Sequence, residues 1–323
     1  MPVCRAVFVA ALLLAVPVIA AAQSPALLVL NKEDATLAIV DPASGKVVGT
    51  VPTGEGPHEI ATDGTLAFVG NYGGRTPGST LSVIDIAARK ERHRVDLGPL
   101  RRPHGIAVAG GKVYFTAETN RVVARYDPAS NQVDWIIGTG QATTHMVQPS
   151  ADGRTLFTAN IGSDSISILE QGQNPLAWNV TSVPVGRGPE GFDVSPDGRE
   201  LWAAHSRDGG VSIVDVAAKK VTQTIDLGTK RSNRLKFTPD GKHVLISDID
   251  TGEVLVVDTA SHRVVKRLAV GRSPEGILVV PDGSRAYLAV TGENRIDVLD
   301  LSSMTITGHI ETGNGPDGMA WVR

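Results

Sequence analysis

Short apolar runs separated by Gly, Pro, Asp and Ser recur along the chain, and the clearest copy lies between Gly186 and Leu227. Within it, Val211 and Ile213 alternate with Ser212, and Val221 and Ile225 alternate with Thr222 and Thr224. A two-residue period of this kind predicts strands with one buried face. Pro196-Asp197-Gly198 separates two of the runs and reads as a tight turn. Pro presets φ, Asp bonds its own backbone, and Gly supplies a positive φ. The stretch is therefore expected to be a four-stranded antiparallel meander. Alone it cannot bury both faces, so it must stack on copies of itself.

The copies are regularly spaced. The residue following each Gly-x-Gly-Pro-like turn falls at His58, His104, His145, Glu190, Asn233, Glu275 and Asp317, in steps of 41 to 46 residues. Four strands per unit at that spacing predict an all-β, seven-bladed β-propeller of four-stranded antiparallel blades. After Asp317 the chain holds only enough residues for one inner strand. The missing strands are expected at Ala26–Leu30, Leu37–Val40 and Lys46–Val51. Pairing the N- and C-terminal strands in one blade would close the ring and remove two open sheet edges.

Composition alters this picture little. A formal net charge of −3 offers no field for nucleic acid or anionic lipid. The first residues do alter it. One basic residue, Arg5, precedes an apolar run from Ala6 to Ile19, and Ala20-Ala21-Ala22 follows. Residues 1–22 thus read as a secretory signal peptide, and residues 23–323 as a single propeller domain. The run is short for a membrane span and is broken by Pro17. The lone Cys4 falls within residues 1–22, which excludes disulfides and thiolate metal sites from the mature chain. A periplasmic or secreted monomer is expected, with no membrane span once the leader is removed.

The repeat resembles the YVTN-type β-propeller proteins. The resemblance rests on the Gly-Pro turn, the Pro-Asp-Gly turn, and degenerate forms of Tyr-Val-Thr-Asn at Phe68-Val69-Gly70-Asn71, Phe157-Thr158-Ala159-Asn160 and Tyr287-Leu288-Ala289-Val290. It covers essentially the whole mature chain. It implies the propeller fold and leaves function open, because the family includes surface-layer and binding proteins as well as enzyme-like members.

Rotational symmetry converts sequence position into place. Residues that begin inner strands should ring the mouth of the central channel, which makes one ring of the seven turn residues named above. A neighbouring ring should form at the ends of second strands: Asn31, Asn71, Glu118, Asn160, His205, Asp248 and Thr291. Antiparallel pairing would set Glu118 beside His104 and Glu190 beside His205. His58, His104 and His145 come from consecutive blades and form an arc with one open side, a pattern suited to one divalent transition metal: zinc, iron, copper or nickel. Glu190 and Glu275 are candidates for moving a proton, and Asn71, Glu118, His205, Asp248, Asp317 and Arg234 for contacting a ligand. The basic side chains Arg101, Arg102, Arg187, Lys230, Arg231, Arg234 and Arg272 lie in the same loops. They would either frame an anion or stand solvated.

Two functional expectations follow. The first is an exported binding or scaffold propeller that holds a small molecule or protein at this polar, His- and Glu-rich face. The alternative resembles metal-dependent propeller lactonases and lyases, in which a metal on His58, His104 and His145 would polarise a carbonyl.

Overall fold

The computed structural model describes Met1 and residues 25–323, so the signal-peptide expectation for residues 1–22 lies outside the described residues. Among those residues, seven four-stranded antiparallel sheets form a ring. Six are continuous in sequence, at residues 57–96, 103–138, 144–184, 189–225, 232–269 and 274–311, and are blades one to six. Blade seven joins the termini. Its inner strand Pro316–Val322 pairs with Ala26–Asn31, which is followed outward by Thr36–Asp41 and Lys46–Pro52. Leu27 lies opposite Trp321 and Val29 opposite Met319. No helix among the described residues is long and apolar enough to cross a membrane.

The two-residue period has a different meaning here from the one expected. Strand Glu200–His205 is buried over Leu201–His205. Trp202 and Ala204 join a cluster with Leu235 and Phe237 of blade five. Leu201 and Ala203 join one with Phe157 and Ala159 of blade three. Alternation therefore divides side chains between two neighbouring blades, not between core and solvent. Each fully buried Leu, Val or Phe contributes about 1.5–3 kcal/mol, and the stack buries both faces where one blade could not. Outer strands are the most exposed to water, as in Lys90–Asp96, where exposed positions alternate with less exposed ones.

The inner strands share a second feature that the apolar pattern does not show. Each has a register break at its start. Pro57 opposes Asn71 but Ile60 opposes Val69, so His58 and Glu59 together face Gly70. The same one-residue slip occurs at Pro103/Ile106, Thr144/Val147, Pro189/Phe192, Ser232/Leu235 and Pro274/Ile277, and in blade seven opposite Leu30. Such a bulge leaves its extra residue unpaired and turns its side chain out of the ladder. In all seven blades, the residue so freed is the turn residue identified from the repeat.

Candidate metal centre at the channel mouth

The bulges bring three histidines of blades one to three together. The His104 and His145 rings lie 3.7 Å apart at an interplanar angle of 31°, and His58 lies 5.2 Å from His104. Thr116, opposite the blade-two bulge, fixes the first pair. Its hydroxyl accepts from Gly105 N–H at 2.9 Å and donates to the His145 carbonyl at 2.7 Å. One side chain thus ties the bulge holding His104 to the strand holding His145.

Glu118 completes the group. His145 Nδ1 donates to its Oε1, and the Tyr72 hydroxyl donates to its Oε2 at 2.7 Å. Burial pushes the Glu118 carboxyl up, but the His145 and Tyr72 hydrogen bonds outweigh it and hold the group below its usual range. Tyr72 in turn is raised to about 12 by burial and by the Glu118 charge. It packs 4.7 Å from His58 and edge-on to His104, with the Arg102 guanidinium on its face. His104 is driven well below the usual imidazole value by burial and then by the positive fields of His145 and His58. His58 is lowered too, chiefly by burial. Its Nδ1 lies 2.9 Å from the Gly56 carbonyl.

Two nitrogens in this group have no partner: His104 Nδ1 and His145 Nε2, both buried. Because His145 donates from Nδ1, its free nitrogen is Nε2, the orientation seen when a carboxylate aligns a metal-binding imidazole. Ligand atoms of His104, Glu118 and His145 lie within 4.8 Å of one another, and these residues form a buried group able to hold a metal ion. Imidazole nitrogen with carboxylate oxygen suits transition metals rather than calcium or magnesium.

The geometry revises three expectations. The compact group contains Glu118 where the sequence suggested His58, and His58 stands beside it. Glu118 bonds His145 of the next blade, although it also lies near His104. Glu190 does not bond His205. Its Oε1 accepts from Asn233 Nδ2 at 2.6 Å, and the His205 nitrogens face Gly209 O and Ser212 Oγ. The second ring is also out of step at two places. Pro103 pairs with Ala117 and Pro274 with Val290, so Glu118 and Thr291 lie one residue beyond the strand ends, in short 3-10 turns. That extra residue frees Glu118 to reach across to His145. Asn71, His205 and Asp248 remain in register, and their polar atoms are taken up locally. Asn71 accepts from Gly54 N–H and donates to Thr80 and Ser82, and Asp248 accepts from Lys230 and Arg231 N–H.

Glu275 of blade six and Asp317, which neighbours His58, are bridged by Lys32 at 2.5 and 3.2 Å. Burial and the Asp317 charge raise Glu275. Burial also pushes Asp317 up, but Lys32 and Arg234 outweigh it, so its carboxyl stays low. Beneath the ring, Arg234 of blade five donates across the channel to Glu59 of blade one. This buried pair forms a floor above a cavity of about 310 Å³. Of the basic loop residues, Arg234 reaches the channel, whereas Arg101 and Arg272 bond the loop carbonyls of Gly98 and Gly292. Sequence reasoning passed over Lys32, Glu59 and Tyr72. Glu59 carried a signal: one step past the turn residue, four blades have Gly, and Glu59 and Arg234 are the only charged residues.

Fold and mouth together define a seven-bladed β-propeller with a buried His/Glu group at its channel mouth. No family model matches the chain and no curated protein matches it, so the YVTN assignment stays a resemblance of motifs. Solved structures do match. The periplasmic gluconolactonase of Pseudomonas aeruginosa is 19% identical with a TM-score of 0.73, covering 93% of this chain and 99% of its own. A putative 6-phosphogluconolactonase from Bacteroides fragilis is 15% identical with a TM-score of 0.75 over the same shares. Hydrazine synthase of Kuenenia stuttgartiensis is 21% identical with a TM-score of 0.69, covering 81% of this chain and 88% of that one. At these identities the likeness is one of fold.

Proposed function

We propose that this is an exported, monomeric propeller whose channel mouth binds one divalent transition metal and, with it, a small molecule. His104 and His145 are the ligands, His58 stands ready on the open side, and Glu118 with Tyr72 holds His145 in the ligating tautomer. The observation that carries this reading is the pair of buried, unpartnered imidazole nitrogens on two closely packed, tilted rings. A buried polar atom left unpaired costs about 1–3 kcal/mol, and a metal removes that cost at both atoms. The basic Arg5 followed by an apolar run and Ala20-Ala21-Ala22 supports export. Metal analysis of untagged protein tests the proposal. About one equivalent is expected, lost in His104→Ala and His145→Ala. Protein that ignores added zinc, copper, nickel and iron would refute it.

A second reading, metal-assisted hydrolysis of a lactone, is favoured by the arc across the mouth. Glu275, raised by burial, faces the imidazoles as a group able to carry a proton. The structural neighbours named as lactonases point the same way. The bound metal would supply Lewis-acid polarisation of a carbonyl, while Glu275 carries a proton and Lys32, kept charged by Asp317 and Glu275, holds the two carboxylates in place. A lactone and ester panel on metal-loaded protein tests this, and inactivity throughout would leave the binding reading alone.

A further inference from the structure

The mouth contains more unpartnered atoms than a metal accounts for. Among the described residues, seven buried side-chain N or O atoms have no hydrogen-bond partner, and four belong to the single ring of turn residues: His104 Nδ1, His145 Nε2, Asn233 Oδ1 and Asp317 Oδ1. The last two lie on blades five and seven, outside the proposed His104/His145 pair, although Asp317 is the neighbour of His58. Asn233 is 2% exposed and Asp317 1%. Both are acceptors. The Asn233 amide has one sensible orientation, because its Nδ2 must face the Glu190 carboxylate, and this leaves Oδ1 as the atom without a partner. Asp317 uses its other oxygen, Oδ2, on Lys32.

From this we infer that the arc of Asn233 and Asp317 is a second subsite, which takes the O–H or N–H donor groups of a non-anionic small molecule. It shares the channel mouth with the proposed metal but does not depend on it. Two further observations select the ligand class. Both cations near the arc are occupied: Lys32 lies between Glu275 and Asp317, and Arg234 donates to Glu59. Around the ring and floor, the five carboxylates of Glu59, Glu118, Glu190, Glu275 and Asp317 outnumber the cations Lys32, Arg234 and Lys236. A phosphate or carboxylate ligand would meet acceptors and net negative charge. A hydroxyl or ammonium group would meet lone pairs that lack a donor. Of the basic loop residues, Arg101 and Arg272 turn to loop carbonyls and Arg102 lies on the Tyr72 ring.

The test is calorimetric titration of metal-stripped protein, and of His104→Ala, with sorbitol, 1,3-diaminopropane, gluconate and inorganic phosphate. Sorbitol or 1,3-diaminopropane is expected to bind saturably, and which of them binds separates a polyol from an amine ligand. Gluconate and phosphate are expected to bind at least ~10-fold more weakly. Asn233→Leu removes the acceptor at constant volume and should weaken the donor probe about 10-fold. Asp317→Asn keeps the shape and provides a second variant should the first unfold, which circular dichroism reports. The inference is overturned if the anions bind as well as the donors, if both folded variants bind like wild type, or if neither donor binds and water alone satisfies these acceptors. Donor binding in a protein that takes no metal would sink only the metal proposal. Metal binding without donor binding would sink only this one.

Discussion

Glu118→Gln changes the charge at the centre of the mouth and almost nothing else. In the native protein both carboxylate oxygens are in use, one by His145 Nδ1 and one by the Tyr72 hydroxyl. The amide can replace both bonds. Its oxygen accepts from His145, and its NH2 donates to Tyr72, whose hydroxyl rotates to accept. A charge-assisted bond worth about 1.5–3 kcal/mol then becomes a neutral one worth about 1 kcal/mol. The fold should survive, because no volume changes and the Tyr72 hydroxyl, only partly buried, can turn its hydrogen to solvent. His145 Nε2 loses basicity, so metal affinity should fall about 10–100-fold, or ~1.4–2.8 kcal/mol. Competition between the protein and a chromophoric zinc chelator near neutral pH measures this, with thermal unfolding as the control for folding. Tyr72→Phe removes one bond and no charge, so it should weaken binding less. Affinity unchanged in Glu118→Gln, while His104→Ala abolishes binding, would refute the orienting role. A loss well beyond ~100-fold would mean that Glu118 ligates the metal itself.

Three further outcomes follow from the same contacts. Breaking the buried floor pair with Glu59→Gln or Arg234→Met alone should cost about 3–5 kcal/mol in urea unfolding, and the double variant should cost clearly less than the two together. Strict additivity would show that the pair does not interact. His205 is held below its usual value of 6.5, first by burial, so it is neutral in the native state while the unfolded chain takes up the proton. Stability is therefore full above pH ~6.5 and falls as pH drops from there through the lower native value. His205→Asn, the residue found at the same register in Asn31, Asn71 and Asn160, should flatten that part of the acid stability profile. An unchanged slope would count against the assignment. In Gly318→Ala, the new Cβ would collide with the His58 carbonyl oxygen of the next blade. The inner strands of blades seven and one must separate, costing about 1–3 kcal/mol and lowering the melting temperature. A variant that melts like wild type would mean the two strands have slack.

The ring of turn residues was legible because every blade repeats one turn, and a repeated turn places its residue at a repeated point in space. The closing of blade seven was legible for the same reason: the pattern stopped after one strand and resumed at Ala26. Glu118 was harder to place. It was counted as a strand-end residue beside His104, but strand Lys112–Ala117 ends one residue earlier. Strand ends are set by the last ladder bond, which apolar spacing does not mark, and one residue of slip reverses a side chain. The same slip, missed at Thr291, has no consequence for the site. Glu59 and Arg234 were separable in sequence only by comparing one position across all blades. Their 175-residue separation closes across the channel axis, and no local pattern carries that information.

The symmetry also explains why the site is on the axis and why it is lopsided. Seven equivalent bulges offer seven equivalent positions, and a ring with the same residue throughout would present one uniform chemistry. Here the ring reads three imidazoles, then Glu190, Asn233, Glu275 and Asp317, so nitrogen lone pairs face oxygen acceptors across the mouth. The position below it is divided in the same way. Gly105, Gly191, Gly276 and Gly318 let adjacent inner strands approach until a Cβ would strike backbone, while Glu59 and Arg234 extend into the channel and close it. Close-packed glycines narrow the channel, and the ion pair blocks what remains. A ligand entering from the top therefore stops at the level of the unpartnered atoms. From this side, the cavity past Glu59 and Arg234 is reached only if that pair opens.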